Sequence, residues 1–228
     1  MKFFIAGLLG GLLGCLPVHA QNVNFGLNVL RLNGNTMSRD VPFKARGGEQ
    51  YDFRMDHTAG LEGGFYVEKT FNPTLALQAE LLFRFTTIAI ISKDGKAGFE
   101  WTNGSVVVPI LHKFRWRGFA VMAGAELGIN LLSDKTGKGA FANIQFEKNE
   151  VKDFKRMTWA GIVGMEYTTF RPGIGVHVRY NVGLSSVWND KENPVVHPGY
   201  DYKTAKLNAW QLGLHWRFTK DGSRAKKV

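Results

Sequence analysis

Glu62, Glu68, Glu80, Arg84, Lys113, Glu126, Glu166, His177, Arg179, His215 and Arg217 share one property: each sits at an alternate position of an extended, mostly apolar stretch. Residue types of this kind support three chemistries. His177, His215 and Glu166 are metal-ligand types, and adjacent strands would set them side by side. Ser185 lies on the same alternate face as His177, a nucleophile and base in principle. The intervening strand, however, separates them by roughly 26 Å, beyond the reach of a hydrogen bond. Asp56-His57 offers a carboxylate beside an imidazole, with no serine fixed near it. The third chemistry is ion pairing. Five of these residues are carboxylates and four are permanent cations, a near balance that suits a buried, mutually paired network better than isolated charges. The expectation is therefore a charge network lining an interior, with no catalytic residue, no metal site, no cofactor and no enzymatic activity. Gly60, Gly63 and Gly64 do not form a phosphate loop; they ease curvature or leave room for bulky neighbours.

The element that must position these groups is clearest at Leu75–Ile91. Leu75, Leu77, Ala79, Leu81, Phe83 and Phe85 alternate with Gln78, Glu80, Leu82 and Arg84. Successive side chains of a strand point to opposite faces, so a period of two separates an oily face from a mixed one. Fully extended, the segment reaches about 55 Å, long for a strand of a soluble domain. Further strands are expected at Val23–Leu32, Thr58–Lys69, Phe99–Phe114, Phe119–Leu132, Met157–Tyr167, Ile174–Ser186 and Leu207–Phe218. Pro109 cannot donate to a ladder and should mark a bulge or bend.

Connections between these strands alternate in length. Thr70–Pro73, Arg115–Gly118 and Thr168–Gly173 are tight; Asn33–His57, Ser133–Arg156 and Val187–Lys206 are long and polar, and Ser92–Gly98 is intermediate. Phe71, Phe114, Trp116, Phe119, Tyr167, Phe170, Trp216 and Phe218 gather at or beside the tight turns, as aromatics do at a lipid–water boundary. The fold class expected is all-β: an eight-stranded antiparallel up-and-down transmembrane β-barrel, with short periplasmic turns, long extracellular loops and both termini periplasmic. The alternative is a secreted lipocalin, which has the opposite sidedness. Eight strands enclose a bore that side chains can fill, so a wide pore is not expected.

Residues 1–20 read as a secretory leader: Lys2, an apolar run from Phe3 to Leu16, and a small-residue site ending at Ala20. Leu12–Cys15 also fits a lipoprotein box, which would retain Cys15 as an acylated residue. Cleavage after Ala20 leaves roughly 208 residues, one barrel-sized domain at 21–218, with 219–228 as a basic periplasmic tail. Of the 228 residues, 29 are Lys or Arg and 19 are Asp or Glu. In a secreted chain this excess is read as surface electrostatics toward anionic lipid, with no nucleic-acid partner.

Gly60–Phe65 (GLEGGF), Leu75–Phe83 (LALQAELLF), Val108–Phe114 (VPILHKF), Ala123–Gly128 (AGAELG) and Arg179–Ser185 (RYNVGLS) together resemble the outer-membrane β-barrel proteins of Bacteroidota called the PorT or "porin" family. That resemblance implies a Gram-negative outer-membrane location. It also raises an accessory role in protein secretion, the work of the family's name-giving member, although most members have no assigned activity. Gln211–Phe218 resembles the C-terminal signal read by the barrel-assembly machinery. Partners expected are outer-membrane lipid and lipopolysaccharide, reached through Lys135, Lys138, Lys148, Lys152, Lys155 and Arg156, and a surface or secretion-complex protein. The chain is expected to be a monomer acting as a structural or interaction protein, with a small-solute channel as a remoter reading.

Overall fold

The computed structural model describes residues 23–36, 41–44, 50–92, 95–139, 154–169, 173–187 and 206–218. The stretches 1–20 and 219–228, read above as leader and tail, and Lys148, Lys152 and Phe170 lie outside them. Strands run through these residues as β1 (Val23–Thr36), β2 (Val41–Lys44), β3 (Gln50–Thr70), β4 (Leu75–Ser92), β5 (Ala97–Trp116), β6 (Phe119–Gly139), β7 (Met157–Thr168), β8 (Ile174–Gly183) and β9 (Leu207–Arg217). All pairings are antiparallel, in the order β1-β9-β8-β7-β6-β5-β4-β3, and pairing of β1 with β3 closes a ring of eight strands. The ninth, β2, continues along the edge of β3 beyond the residues that β1 covers.

Alternation decides what the ring encloses. Along β9, Ala209, Gln211, Gly213, His215 and Arg217 are buried, whereas Trp210, Leu212, Leu214 and Trp216 are exposed. On β4, Phe83 and Phe85 face out while Gln78, Glu80, Leu82 and Arg84 are buried. An outer surface of Leu, Val, Phe and Trp all round the ring is untenable in water and suits hydrocarbon. The inverse arrangement of a lipocalin is thereby excluded. Closure also satisfies every strand edge within the ring, the condition for crossing lipid with strands.

The tight turns have distinct chemistries. Asn72 organises the β3–β4 reversal: its Oδ1 accepts from Thr74 N (2.9 Å), Thr74 Oγ1 (2.8 Å) and Leu75 N (2.8 Å), an Asx-type turn. Between β5 and β6 only Arg117 and Gly118 intervene, both at positive φ (47° and 88°). That is the signature of a two-residue hairpin matched to strand twist. A branched side chain at a φ of 88° is strained, so Gly118→Val should lower the unfolding free energy by about 1–3 kcal/mol. Gly118→Asn should cost less, because asparagine tolerates this region; urea titration of the folded barrel in detergent micelles reads both.

Three expectations need correction. The stretch 133–139 is strand, not loop: β6 stays paired with β5 as far as Ala97↔Gly139. Asp134, Thr136 and Lys138 there occupy exposed positions. Outside the bilayer the outer face need not be oily, so the ladder continues where the apolar pattern stops. For the same reason β1 runs to Thr36 and β3 starts at Gln50, inside the stretch read as the first long loop. Finally, Pro109 causes no bulge. The β4–β5 ladder passes from Ala79↔Ile110 to Leu82↔Val107 without a register change, interrupted only opposite the missing amide hydrogen. The register shift in β5–β6 falls instead between Gly104 and Ser105.

Candidate functional site: the lining of the bore

The inner face of each strand contributes to a stack of side-chain layers. At mid-height Glu80 on β4 receives both Arg179 Nη1 (2.8 Å) and Nη2 (2.6 Å) from β8. β4 and β8 lie four places apart in the ring of eight, so this bidentate pair spans the full bore. Arg179 is 1% exposed, and Gln78 Nε2 donates to Glu80 from the same strand.

Farther from the tight turns a ring of polar side chains joins five strands. Arg84 Nε donates to Glu62 Oε1 (2.8 Å), and its two terminal nitrogens grip Glu126 at 2.7 Å each. Gln211 Nε2 donates to Glu62 Oε1 (2.8 Å), and Asn181 Nδ2 donates to Glu126 Oε2 (3.2 Å). Planar fork geometry of this kind is where Arg, rather than Lys, belongs. Leu30, Leu82 and Val107 form a buried apolar cluster in the same lining.

Nearest the tight turns, Lys113 Nζ lies 2.5 Å from Glu166 Oε2 and 3.3 Å from Glu68 Oε2. Glu68 Oε1 also pairs with Arg115, lies 3.6 Å from Arg217 Nη2, and accepts from Asn24 Nδ2 (3.2 Å). Thr168 Oγ1 donates to Glu166 Oε1 (3.1 Å) and sits 3.1 Å from His215 Nε2. Leu111, Met122 and Ile162 pack as a further apolar cluster.

His177 and His215 do come together, with ring centroids 5.9 Å apart and planes 20° from parallel. His215 Nε2 is 3.8 Å from Glu166 Oε1, but the other oxygen of that carboxylate is taken by Lys113. Among the described residues no group of three or more His, Cys, Asp or Glu side chains is arranged to hold a metal ion. Each imidazole instead covers a glycine that faces it across the strand pair. A Cβ on Gly213 would stand 2.3 Å from His177 Nε2, and one on Gly175 would stand 2.1 Å from His215 Cε1. Tyr66 covers Gly26 on β1 in the same way. These glycines make room for large inward rings, an arrangement that also pins strand register.

At the far end of the bore Ile88, Trp101 and Phe154 form a third apolar cluster, with Phe99 and Val187 against it. Lys135 Nζ sits 4.8 Å from the ring centroids of both Phe99 and Trp101. Lys138 pairs with Glu100. Of the six basic residues, Lys135 and Lys138 are on β6 and Lys155 and Arg156 follow Phe154, while Lys148 and Lys152 lie outside the described residues. Ser185 Oγ accepts from Trp159 N (2.8 Å), which is a structural task.

All eleven residues singled out for the lining are buried on the inner face. Asn24, Gln78, Arg115, Asn181 and Gln211 complete their contacts, and the sequence does not point to them because four are uncharged and Arg115 reads as part of a turn. Their inward parity was the available signal.

Among solved structures the chain is similar to Ail, the attachment invasion locus protein of Yersinia pestis, in complex with the heparin analogue sucrose octasulfate. Identity is 13% and the TM-score 0.39, over 86% of this chain and 98% of that one. It is also similar to the transport unit of the autotransporter AIDA-I from Escherichia coli, with 9% identity and a TM-score of 0.27, over 93% of this chain and 96% of that one. No curated protein sequence matches. A family model matches residues 20–189, the larger part of the chain, and it is the model of the outer membrane protein beta-barrel domain; the chain belongs to that family of outer-membrane β-barrels.

Proposed function

We propose that this outer-membrane barrel is a non-enzymatic structural and interaction protein whose bore is sealed by its own ion pairs. The observation that carries the reading is the Glu80–Arg179 pair, which ties opposite walls together at hydrogen-bond distance. Any solute path must break it, along with the Glu62–Arg84–Glu126 ring. Work toward the outside then falls to the surfaces beyond the bilayer. The tight turns, the aromatic belt of Phe114, Trp116, Phe119 and Trp216, and both termini are assigned to the periplasmic side, as in barrels of even strand number. The long connections face outward, where exposed Arg156 and the lysines at 148 and 152 would meet lipopolysaccharide phosphates or a surface protein. The barrel is expected to act as a monomer.

Planar-bilayer recording of the refolded chain should show no steady conductance at neutral pH. A stable open level would overturn the sealed bore and favour a solute channel. Deletion of 140–153 should abolish binding to lipopolysaccharide-coated beads, whereas deletion of 219–228 should leave binding and protein export unchanged. Loss of export in the second variant would favour the PorT-like secretion role instead.

A further inference from the structure

The polar ring around Arg84 has a charge and hydrogen-bond deficit that its own residues do not remove. Glu62 and Glu126 bring two carboxylates to one guanidinium, leaving one net negative charge with both ionised. Glu80 and Arg179, the ion pair of the layer closer to the tight turns, neutralise each other. The two amides of the ring are oriented by necessity: a carboxylate only accepts, so Gln211 and Asn181 must turn their NH2 groups toward Glu62 and Glu126. Their carbonyl oxygens then point elsewhere. Gln211 Oε1, Asn181 Oδ1 and Glu62 Oε2 are buried oxygens with no hydrogen-bond donor among the described residues. Glu62 and Gln211 are each 1% exposed and Asn181 is 4% exposed. Orphaned acceptors at this depth are costly unless something positive or proton-bearing meets them.

We propose that the ring of Glu62, Arg84, Glu126, Asn181 and Gln211 binds one alkali cation, sodium or potassium, through the oxygens of Glu62, Gln211 and Asn181. Hard cations take carboxylate and amide oxygens. A single positive charge balances the ring, whereas a divalent ion would leave it with an excess of the opposite sign. The inference concerns ion binding inside the wall and stands independently of which partner the outer loops meet. It deepens the sealed-bore reading by giving the seal a resident ion, yet a bore could be sealed with water in that position, so the two fail separately.

The test uses the full mature barrel refolded in detergent micelles at neutral pH and constant ionic strength. Urea unfolding midpoints are compared in sodium, potassium and N-methyl-D-glucamine chloride. The midpoint should be higher in one alkali salt than in N-methyl-D-glucamine chloride, with a saturable dependence on that cation. Glu62→Gln, which keeps an oxygen for Arg84 and removes the excess charge, should abolish the dependence, and Glu126→Gln should do the same. Crystals soaked in rubidium chloride should show an anomalous peak bounded by Glu62, Asn181 and Gln211. Identical midpoints in all three salts with no such peak overturn the proposal. A midpoint that ignores the cation but moves with pH also overturns it, and assigns the balancing charge to a shared proton.

Discussion

Arg84→Met should lower the unfolding free energy by roughly 3–5 kcal/mol, the range for leaving a buried charge without its partner. The effect is placed at the upper end of single substitutions because Arg84 serves two carboxylates. Its Nε holds Glu62 at 2.8 Å and its terminal nitrogens hold Glu126 at 2.7 Å. Methionine fills part of the volume but leaves both acids facing each other across the bore with only Gln211 and Asn181 as donors. Replacing all three, as Glu62→Gln, Arg84→Met and Glu126→Gln, should recover most of the loss, since removing a whole buried ion cluster is often close to neutral. Tryptophan fluorescence during urea titration in lipid vesicles reads the series. A loss below about 1 kcal/mol for Arg84→Met would mean that water solvates the carboxylates, and the bore would then be wet rather than sealed.

What was legible in the chain follows from which constraint each region obeys. Within the bilayer the outer face must be oily, and the alternation on β4 therefore exposes both faces to inspection: Phe83 and Phe85 against Glu80 and Arg84. Beyond the bilayer that requirement ends. Residues 133–139 carry Ser, Asp, Lys, Thr and Gly, which read as loop, although the β5–β6 ladder runs through them. The identity of the ion partners was not readable either. Glu80 and Arg179 are 99 residues apart and meet only because the ring places β4 opposite β8. Arg115, next to Trp116 and Gly118, reads as turn, yet it belongs to β5 and pairs with Glu68 inside. Asn181 and Gln211 carried no charge to attract notice, and their role appears only once the acids they serve are in place. The glycines at 175 and 213 look like strand defects until the two histidines are seen lying over them.

Adjacent residues on β6 offer the most direct test of which face is which. Gly124 points inward between Leu111 of β5 and Ile162 of β7. A Cβ there would stand 1.9 Å from the carbonyl oxygen of Ile110 and 2.9 Å from Leu111 Cα. Both atoms are backbone of a paired strand, so no rotamer change relieves the clash. Gly124→Val should therefore cost about 3 kcal/mol or more, at or above the usual range for overpacking, and should reduce the heat-modifiable folded band on electrophoresis. Ala123 is exposed on the outer face, opposite His112 and Val163. Ala123→Val adds two methyl groups toward hydrocarbon, where they lose nothing, so its folded yield and urea midpoint should match the parent's within error. The two substitutions introduce the same side chain one residue apart, so propensity cannot account for a difference between them. If Ala123→Val were the damaging change and Gly124→Val the silent one, the wall would be inside out, and the buried ion pairs would have to lie on the membrane side.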